Sequence, residues 1–375
     1  QYGDLAVERS PASSSSAVTV TGGHKVPVGG SIPTPTGRRR AVLIGANYFH
    51  AAAQLRGSHN NLGGIRDLLL RVGFKAQEIV CFQDGQADLA LLPTRRNILS
   101  AMRWLVHSVV PGDVLFFFFC GHGSQLVDPT TGSSKDMVDD TICPVDLQWA
   151  GQITDNQIFE SLVQKLPAGV RLTVILDCCV PGLTLNLPWV CDEQKGWVED
   201  PDAFHTMGDV VCLSMHAVEN LSAELLRSLC AMPTGVVTTS FLQALHSLTA
   251  HRRPATYLDL LAQVVEELHA GGFQWQPRLS ASQAFDPSKR PFRFSDAVPN
   301  GNPEVGLKTG KRHKKPRAWC GEDGVDRALH LAGVDPPAPY RGEPPASVVL
   351  VAAAPEAAAA PTPALVSDPR CFAAS

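Results

Sequence analysis

Between residues 38 and about 296, short unbroken apolar runs alternate with longer stretches of helical period. Ala41-Val42-Leu43-Ile44-Gly45 is a short apolar strand closed by glycine, Glu78–Phe82 reads as a second, and Val114–Cys120 carries no charged or polar side chain except its terminal thiol. Val170–Leu176 and Val210–Ser214 continue the series. Between and after them, Ile65–Val72, Thr94–Val110, Ile158–Leu166 and segments near 235–249 and 255–270 repeat apolar residues at helical spacing. A continuous apolar strand has no face to turn to water, so it must be covered on both sides. Such strands alternating with helices predict an α/β fold, a three-layer sandwich with a mainly parallel central sheet.

The flanks differ. Residues 1–37 are rich in Ser, Pro, Gly and Thr without hydrophobic period, and are expected to form a disordered pro-segment. From 297 to 375 the text turns to Pro, Ala and Gly, with a basic knot at Lys311-Arg312-His313-Lys314-Lys315 and an Ala/Pro stretch over 352–366. That tail is also expected to be disordered, and the knot reads as a short solvated run.

Composition narrows the class. An apolar fraction of 44% is enough for a real core, and a net charge of -4 gives no electrostatic reason to expect nucleic acid. The longest apolar run, Val114–Cys120, is far shorter than the roughly 20 residues that span a bilayer, and the polar, Ser-rich opening lacks a signal-peptide core. Ten cysteines show no repeated spacing and no C-x-x-C pair, and Cys120 and Cys212 sit in apolar strand contexts. This usage predicts reduced thiols in a cytoplasmic protein.

The chemistry lies where two of the strands end. In parallel α/β sheets the active groups lie beyond the carboxyl ends of the strands. Gly121-His122-Gly123 follows one such end and Asp177-Cys178-Cys179 another. A thiol attacks a carbonyl only as thiolate, so it needs a nearby imidazole and donors for the oxyanion. His122 is the candidate base, Cys179 the candidate nucleophile, and the N–H groups of Gly123 and Cys179 the candidate oxyanion donors. A lone His or Cys is ordinarily structural in a chain with 12 His and ten Cys. Two of them at strand ends, with His preceding Cys by some 50 to 60 residues, follow the order of caspase-type sites.

The run Arg171-Leu-Thr-Val-Ile-Leu-Asp-Cys-Cys179 closely resembles the strand and nucleophile turn of type I metacaspases. Phe118-Phe119-Cys120-Gly121-His122-Gly123-Ser124-Gln125 resembles their histidine motif. Ala41–Tyr48, Leu92–Ile98, Ile142–Asp146 and the stretch from Gly272 to Phe292 also match, so the resemblance covers roughly residues 40 to 295. It implies a caspase-like peptidase domain over 38–296, with a large-subunit-like part (38–195) and a small-subunit-like part (206–296). It also implies a calcium-activated, monomeric endopeptidase that cuts protein substrates after Arg or Lys. In the P1 pocket that the family implies, Asp177 supplies one acid, Asn61 stands where the second acid is expected, and Cys120 replaces the usual Ser. The family's calcium ligands map to Asp139, Asp155, Asn156 and Asn186. Two of these are amides where Asp is expected, which removes two negative charges and predicts a weakened site. The alternative for Asp136, Asp139 and Asp140 is a solvated acidic loop. In the nucleophile turn, Val180-Pro181 replace His-Ser before Gly182, and Met215-His216 replaces Gly-Cys. The intact dyad favours a peptidase; the altered pocket, calcium positions and turn favour a degenerate member with a binding or regulatory role.

Overall fold

The structure is a computed structural model that describes residues 37–294 apart from 52, 128–137, 179–184, 193–195, 201–202, 217–231, 233–234, 250–253 and 274. Upstream it adds only a short antiparallel pair, β1 (Val18–Thr19) with β2 (Lys25–Val26). The rest of the expected pro-segment and the whole tail, with its basic knot, lie outside the described residues. So do Cys179, the Val180-Pro181-Gly182 departure and Asp136.

In chain order the elements are β3 (Arg39–Gly45), α1 (Ser58–Arg71), β4 (Ile79–Gln83), α2 (Arg95–Leu105), β5 (Val114–Cys120), β6 (Gly123–Val127) and β7 (Val138–Ile142). There follow α3 (Leu147–Ala150), β8 (Ile153–Thr154), α4 (Asp155–Ile158) with a π-helical turn at Phe159–Val163, and β9 (Arg171–Asp177). The rest comprises β10 (Trp189–Asp192), β11 (Gly196–Glu199), β12 (Asp209–His216), α5 (Val236–Thr249), α6 (Tyr257–Ala270) and β13 (Gln276–Ala281).

Eight strands make one sheet in the order β11-β10-β13-β12-β9-β5-β3-β4. The run from β12 to β4 is parallel, whereas β13, β10 and β11 join antiparallel, so the sheet is mixed. All seven residues of β5 and of β9 are buried. Because side chains alternate across a strand, β5 feeds two cores: Phe116 and Phe118 pack with Ile65, Leu69, Phe241 and Leu260 on one face. Phe117 and Phe119 pack with Ile98, Met102, Phe159 and Leu162 on the other. Each fully buried Phe contributes about 1.5–3 kcal/mol, so this one strand anchors both helical layers. No helix among the described residues is long and apolar enough to cross a membrane.

Charge is buried at the amino end of β9. Arg171, 1% exposed, donates from Nη1 to Asp209 Oδ2 at 2.5 Å and from Nη2 to the Tyr257 hydroxyl. Arg290 reaches the same Asp209 oxygen at 2.5 Å, and its guanidinium lies 4.4 Å from the centre of the Phe285 ring.

Three helices differ from the sequence pattern: the one expected over Ile65–Val72 already begins at Ser58. The one expected over 94–110 starts where Thr94 accepts the Asn97 N–H, and it stops at Leu105; Ser108 then takes the left-handed conformation (φ 53°) ahead of Pro111. The one expected from Ile158 starts earlier, because Thr154 and Gln157 form a reciprocal capping box.

Candidate active site

Strand register builds the edge. Gly45 lies beside Cys120, and Cys120 beside Asp177, so three strands end level. The pairing continues past the strands: the Ala46 N–H donates to the Cys120 carbonyl at 2.9 Å and the Gly121 N–H to the Asp177 carbonyl at 3.2 Å. His122 therefore leaves β5 beside the point where the chain leaves β9 for Cys178 and Cys179. Cys178 is buried among the core residues behind the sheet, while Cys179 lies outside the described residues. Gly123, the other expected oxyanion donor, opens β6 opposite Ile142.

The His122 ring is held from two sides. Its Nε2 lies 2.5 Å from the Ala53 carbonyl, an acceptor only, so Nε2 carries the proton and Nδ1 keeps a lone pair. The Tyr48 ring packs against the imidazole with centroids 4.6 Å apart. The Tyr48 hydroxyl accepts the His122 N–H at 2.9 Å and donates to the Cys143 carbonyl at 2.6 Å. That close approach requires glycine at 121, since a Cβ there would sit 2.7 Å from the hydroxyl oxygen. Burial lowers the His122 pKa, partly opposed by the Ala53 carbonyl, so the ring is neutral above about pH 6.5. A neutral ring with a free Nδ1 is equipped to accept a proton.

Asn61, Cys120 and Asp177 meet in one buried cluster. Asn61 Nδ2 donates to Asp177 Oδ2 at 3.0 Å and to Cys120 Sγ at 3.4 Å, while its Oδ1 accepts the Gly235 N–H at 3.1 Å. An amide fits where a carboxylate would not: it donates to one neighbour and accepts from another. The Thr238 N–H donates to Asp177 Oδ2 at 3.0 Å, and the Thr238 hydroxyl donates to the same oxygen. Glycine is needed at 235, because a Cβ there would lie 2.3 Å from Asn61 Nδ2. Burial raises the Asp177 pKa, opposed by the hydrogen bonds from Thr238, Cys120 and Asn61. Burial, followed by the charge of Asp177, pushes the Cys120 thiol well up, so it stays protonated.

Asp139, Asp155, Asn156 and Asn186 also converge. Asn156 Nδ2 donates to Asp139 Oδ1 at 3.2 Å, Asn186 Nδ2 donates to Asn156 Oδ1 at 3.0 Å, and Asp155 Oδ1 accepts the Asn156 N–H at 2.7 Å. Burial, helped by the charge of Asp139, raises the Asp155 pKa to about 7. The amide N–H groups occupy acceptors that a divalent cation would need, and only two of the four side chains can carry charge. Among the described residues no three His, Cys, Asp or Glu side chains group as metal ligands. The set does not fit a tight calcium site.

Tyr48, Ala53, Gly235 and Thr238 were not among the residues that the sequence marks as functional. Tyr48 closes a matched motif, which was the one available signal. Ala53 acts through its carbonyl, which leaves no trace in residue type, and Thr238 lies 61 positions after Asp177 at the start of an apolar helix.

Comparison with known proteins adds to this geometry. A family model described as "Metacaspase, peptidase C14 domain" matches residues 39–188. A Metacaspase-1 of Candida glabrata is 31% identical over 295 residues, covering 67% of this chain and 74% of that protein. Metacaspase-1 of Mycosarcoma maydis is 41% identical over 172 residues (46% of this chain, 42% of that protein). That of Schizosaccharomyces pombe is 41% identical over 176 residues (47% and 41%). The match to the latter two thus spans about two fifths of their length. A solved structure of a Geobacter sulfurreducens protein superposes with a TM-score of 0.50 at 17% identity, covering 69% of this chain and 99% of that one. That likeness speaks for the fold alone.

Proposed function

This chain belongs to the metacaspase family, and from that premise we propose that it is a cysteine endopeptidase that cuts proteins after Arg or Lys. His122 is the general base and Cys179 the nucleophile. The observation that supports this most is the state of the His122 ring: with Nε2 bound to the Ala53 carbonyl, Nδ1 is the nitrogen that takes the thiol proton. The thiolate then adds to the substrate carbonyl carbon, and the N–H groups of Gly123 and Cys179 receive the oxyanion. As the C–N bond breaks, the imidazolium returns its proton to the leaving amine. Water, deprotonated by the same ring, hydrolyses the thioester and frees the thiol. The basic P1 side chain would be taken by the pocket of Asp177, Asn61 and Cys120, with Thr238 fixing the Asp177 carboxylate. Calcium stimulation through Asp139, Asp155, Asn156 and Asn186 is weak at most in this reading, and no step above depends on it. In this reading the protein acts as a monomer in the cytoplasm, in keeping with ten cysteines that show no repeated spacing.

The second reading, a degenerate member that binds without cutting, draws on the same pocket, because neutral donors already satisfy Asp177. A thiol-reactive inhibitor carrying a P1 Arg separates the two. The peptidase reading expects stoichiometric labelling at Cys179, loss of labelling in Cys179→Ala, and little change in Cys178→Ala. A folded wild type with a titratable Cys179 that takes no label would establish the binding reading instead.

A further inference from the structure

The loop between β3 and α1 adopts a costly backbone, and one buried carboxylate accounts for it. Tyr48 and His50 both have positive φ (53° and 67°), a region that side-chain-bearing residues seldom occupy. Asp84, just beyond β4, accepts the Asn47 N–H at 2.8 Å and the Phe49 N–H at 3.2 Å, gripping the backbone on each side of Tyr48. His59 Nε2 lies 2.7 Å from the Asp84 Oδ1 that serves Asn47, and the Phe49 and His59 rings meet edge-on at 5.5 Å. Asp84 is 7% exposed. Although burial alone would raise its pKa, the bonds from His59, Asn47 and Phe49 hold it below the usual carboxylate range.

Tyr48 and Ala53, which meet the His122 ring, hang from this grip. Tyr48 is the gripped residue itself. Its carbonyl accepts the Ala51 N–H at 3.0 Å, the Ala51 carbonyl accepts the Gln54 N–H at 3.1 Å, and the Asn47 carbonyl accepts the Leu55 N–H at 2.8 Å. These bonds fold the turn so that the Ala53 carbonyl meets Nε2 of His122. Asp84 bonds the loop and His59, and it acts on the imidazole through the loop.

We propose that Asp84 and Tyr48 are positioning residues for the general base: Asp84 fixes the left-handed Tyr48, and that loop holds His122 in the Nε2–H tautomer with Nδ1 free. This rests on the reading of His122 as the base, but its direct readout does not need activity. A carboxylate at 84 offers only acceptors to two backbone N–H groups, whereas an amide would turn a donor toward one of them.

The test is 15N NMR of the His122 ring in the full chain, with Asp84→Asn and Tyr48→Phe, alongside kcat and KM on an Arg peptide. The wild type is expected to give one unprotonated Nδ1 and one protonated Nε2. Both variants should shift toward a mixture of tautomers, with kcat down about 10-fold and KM within about 2-fold. If both fold and keep the wild-type ring signals and kcat, the proposal is overturned. Should Asp84→Asn fail to fold, Tyr48→Phe decides alone, because it removes the hydroxyl tie to the His122 backbone and leaves the Asp84 grip intact. Variants that lose the tautomer in a protein inert toward every Arg peptide uphold the positioning role and refute the peptidase reading.

Discussion

β9 buries a charged side chain at each end, and the two ends are treated in opposite ways. At its amino end Arg171 shares the Asp209 carboxylate with Arg290, and the Tyr257 hydroxyl takes a further guanidinium proton. Opposite charges face each other there, sealed beneath aromatic rings. At its carboxyl end Asp177, 9% exposed, is met among the described residues by Asn61, Thr238 and Cys120, all neutral. A buried carboxylate with neutral donors but no cation is costly to keep, and such sites cluster where ligands bind. One end is finished as structure; the other has only neutral partners among the described residues, as the proposed pocket for an Arg or Lys side chain would require.

Neutralising each end in turn tests this contrast hardest. Asp209→Asn leaves two buried guanidiniums without their anion and should cost about 3–5 kcal/mol, read as a lower urea midpoint. Asp177→Asn should leave the midpoint within about 1 kcal/mol, because the fold already disfavours the charged form, yet abolish what Arg-peptide cleavage there is. Equal losses of stability in the two variants would erase the distinction between the ends.

Next in size is Asn61→Asp, which puts a second carboxylate beside Asp177. It should raise kcat/KM on Arg peptides by about one to two decades, or about 1–3 kcal/mol, and lower the stability of the unliganded protein. An active enzyme whose Arg rate does not move would show that Asn61 is not part of the P1 pocket.

The amide-bridged cluster offers a milder version of the same question. Calcium at about 1 mM should change neither wild-type thermal midpoint nor activity by much. Asn156→Asp with Asn186→Asp should create a midpoint that climbs by a few degrees with calcium. Tight calorimetric binding by the wild type would refute the non-fit.

The smallest effect is the position of an acid limb. Burial depresses the His122 pKa, so the unfolded chain binds the extra proton more readily than the folded one as pH falls below about 6.5. This group therefore contributes stability above that pH and loses it as the pH falls through the folded value. The limb of kcat/KM should likewise lie below 6.5 where desolvation dominates, and a midpoint above it would mean that a negative charge beside the ring, such as a Cys179 thiolate, outweighs burial.

Much of this was legible beforehand, for a physical reason. Val114–Cys120 and Val170–Leu176 announce themselves because strands covered on both faces need unbroken apolar sequence. Gly123–Val127 and Val138–Ile142 do not: they form a small sheet off the main one, and Val-Asp-Asp-Thr-Ile reads as a polar loop. The edge strands Trp189–Asp192 and Gly196–Glu199 are short and part-exposed, so they carry no long run. In the site, strand-end position and side-chain chemistry marked His122 and Cys179, and the family resemblance marked Asn61, Cys120 and Asp177. Thr238 and Gly235 could not be marked, since they act largely through backbone N–H groups whose partners are far away in sequence.

The strand order has one more consequence. β12 and β13 are held between β9 on one side and β10 on the other, both of which precede them in the chain. If a protease nicked the backbone between Glu199 and Asp209, the later fragment would keep its ladder on both flanks and its tie from Asp209 and Tyr257 to Arg171. The cut protein would remain a non-covalent heterodimer whose halves leave each other only by global unfolding. Electrophoresis under denaturing conditions would count two pieces where gel filtration counts one.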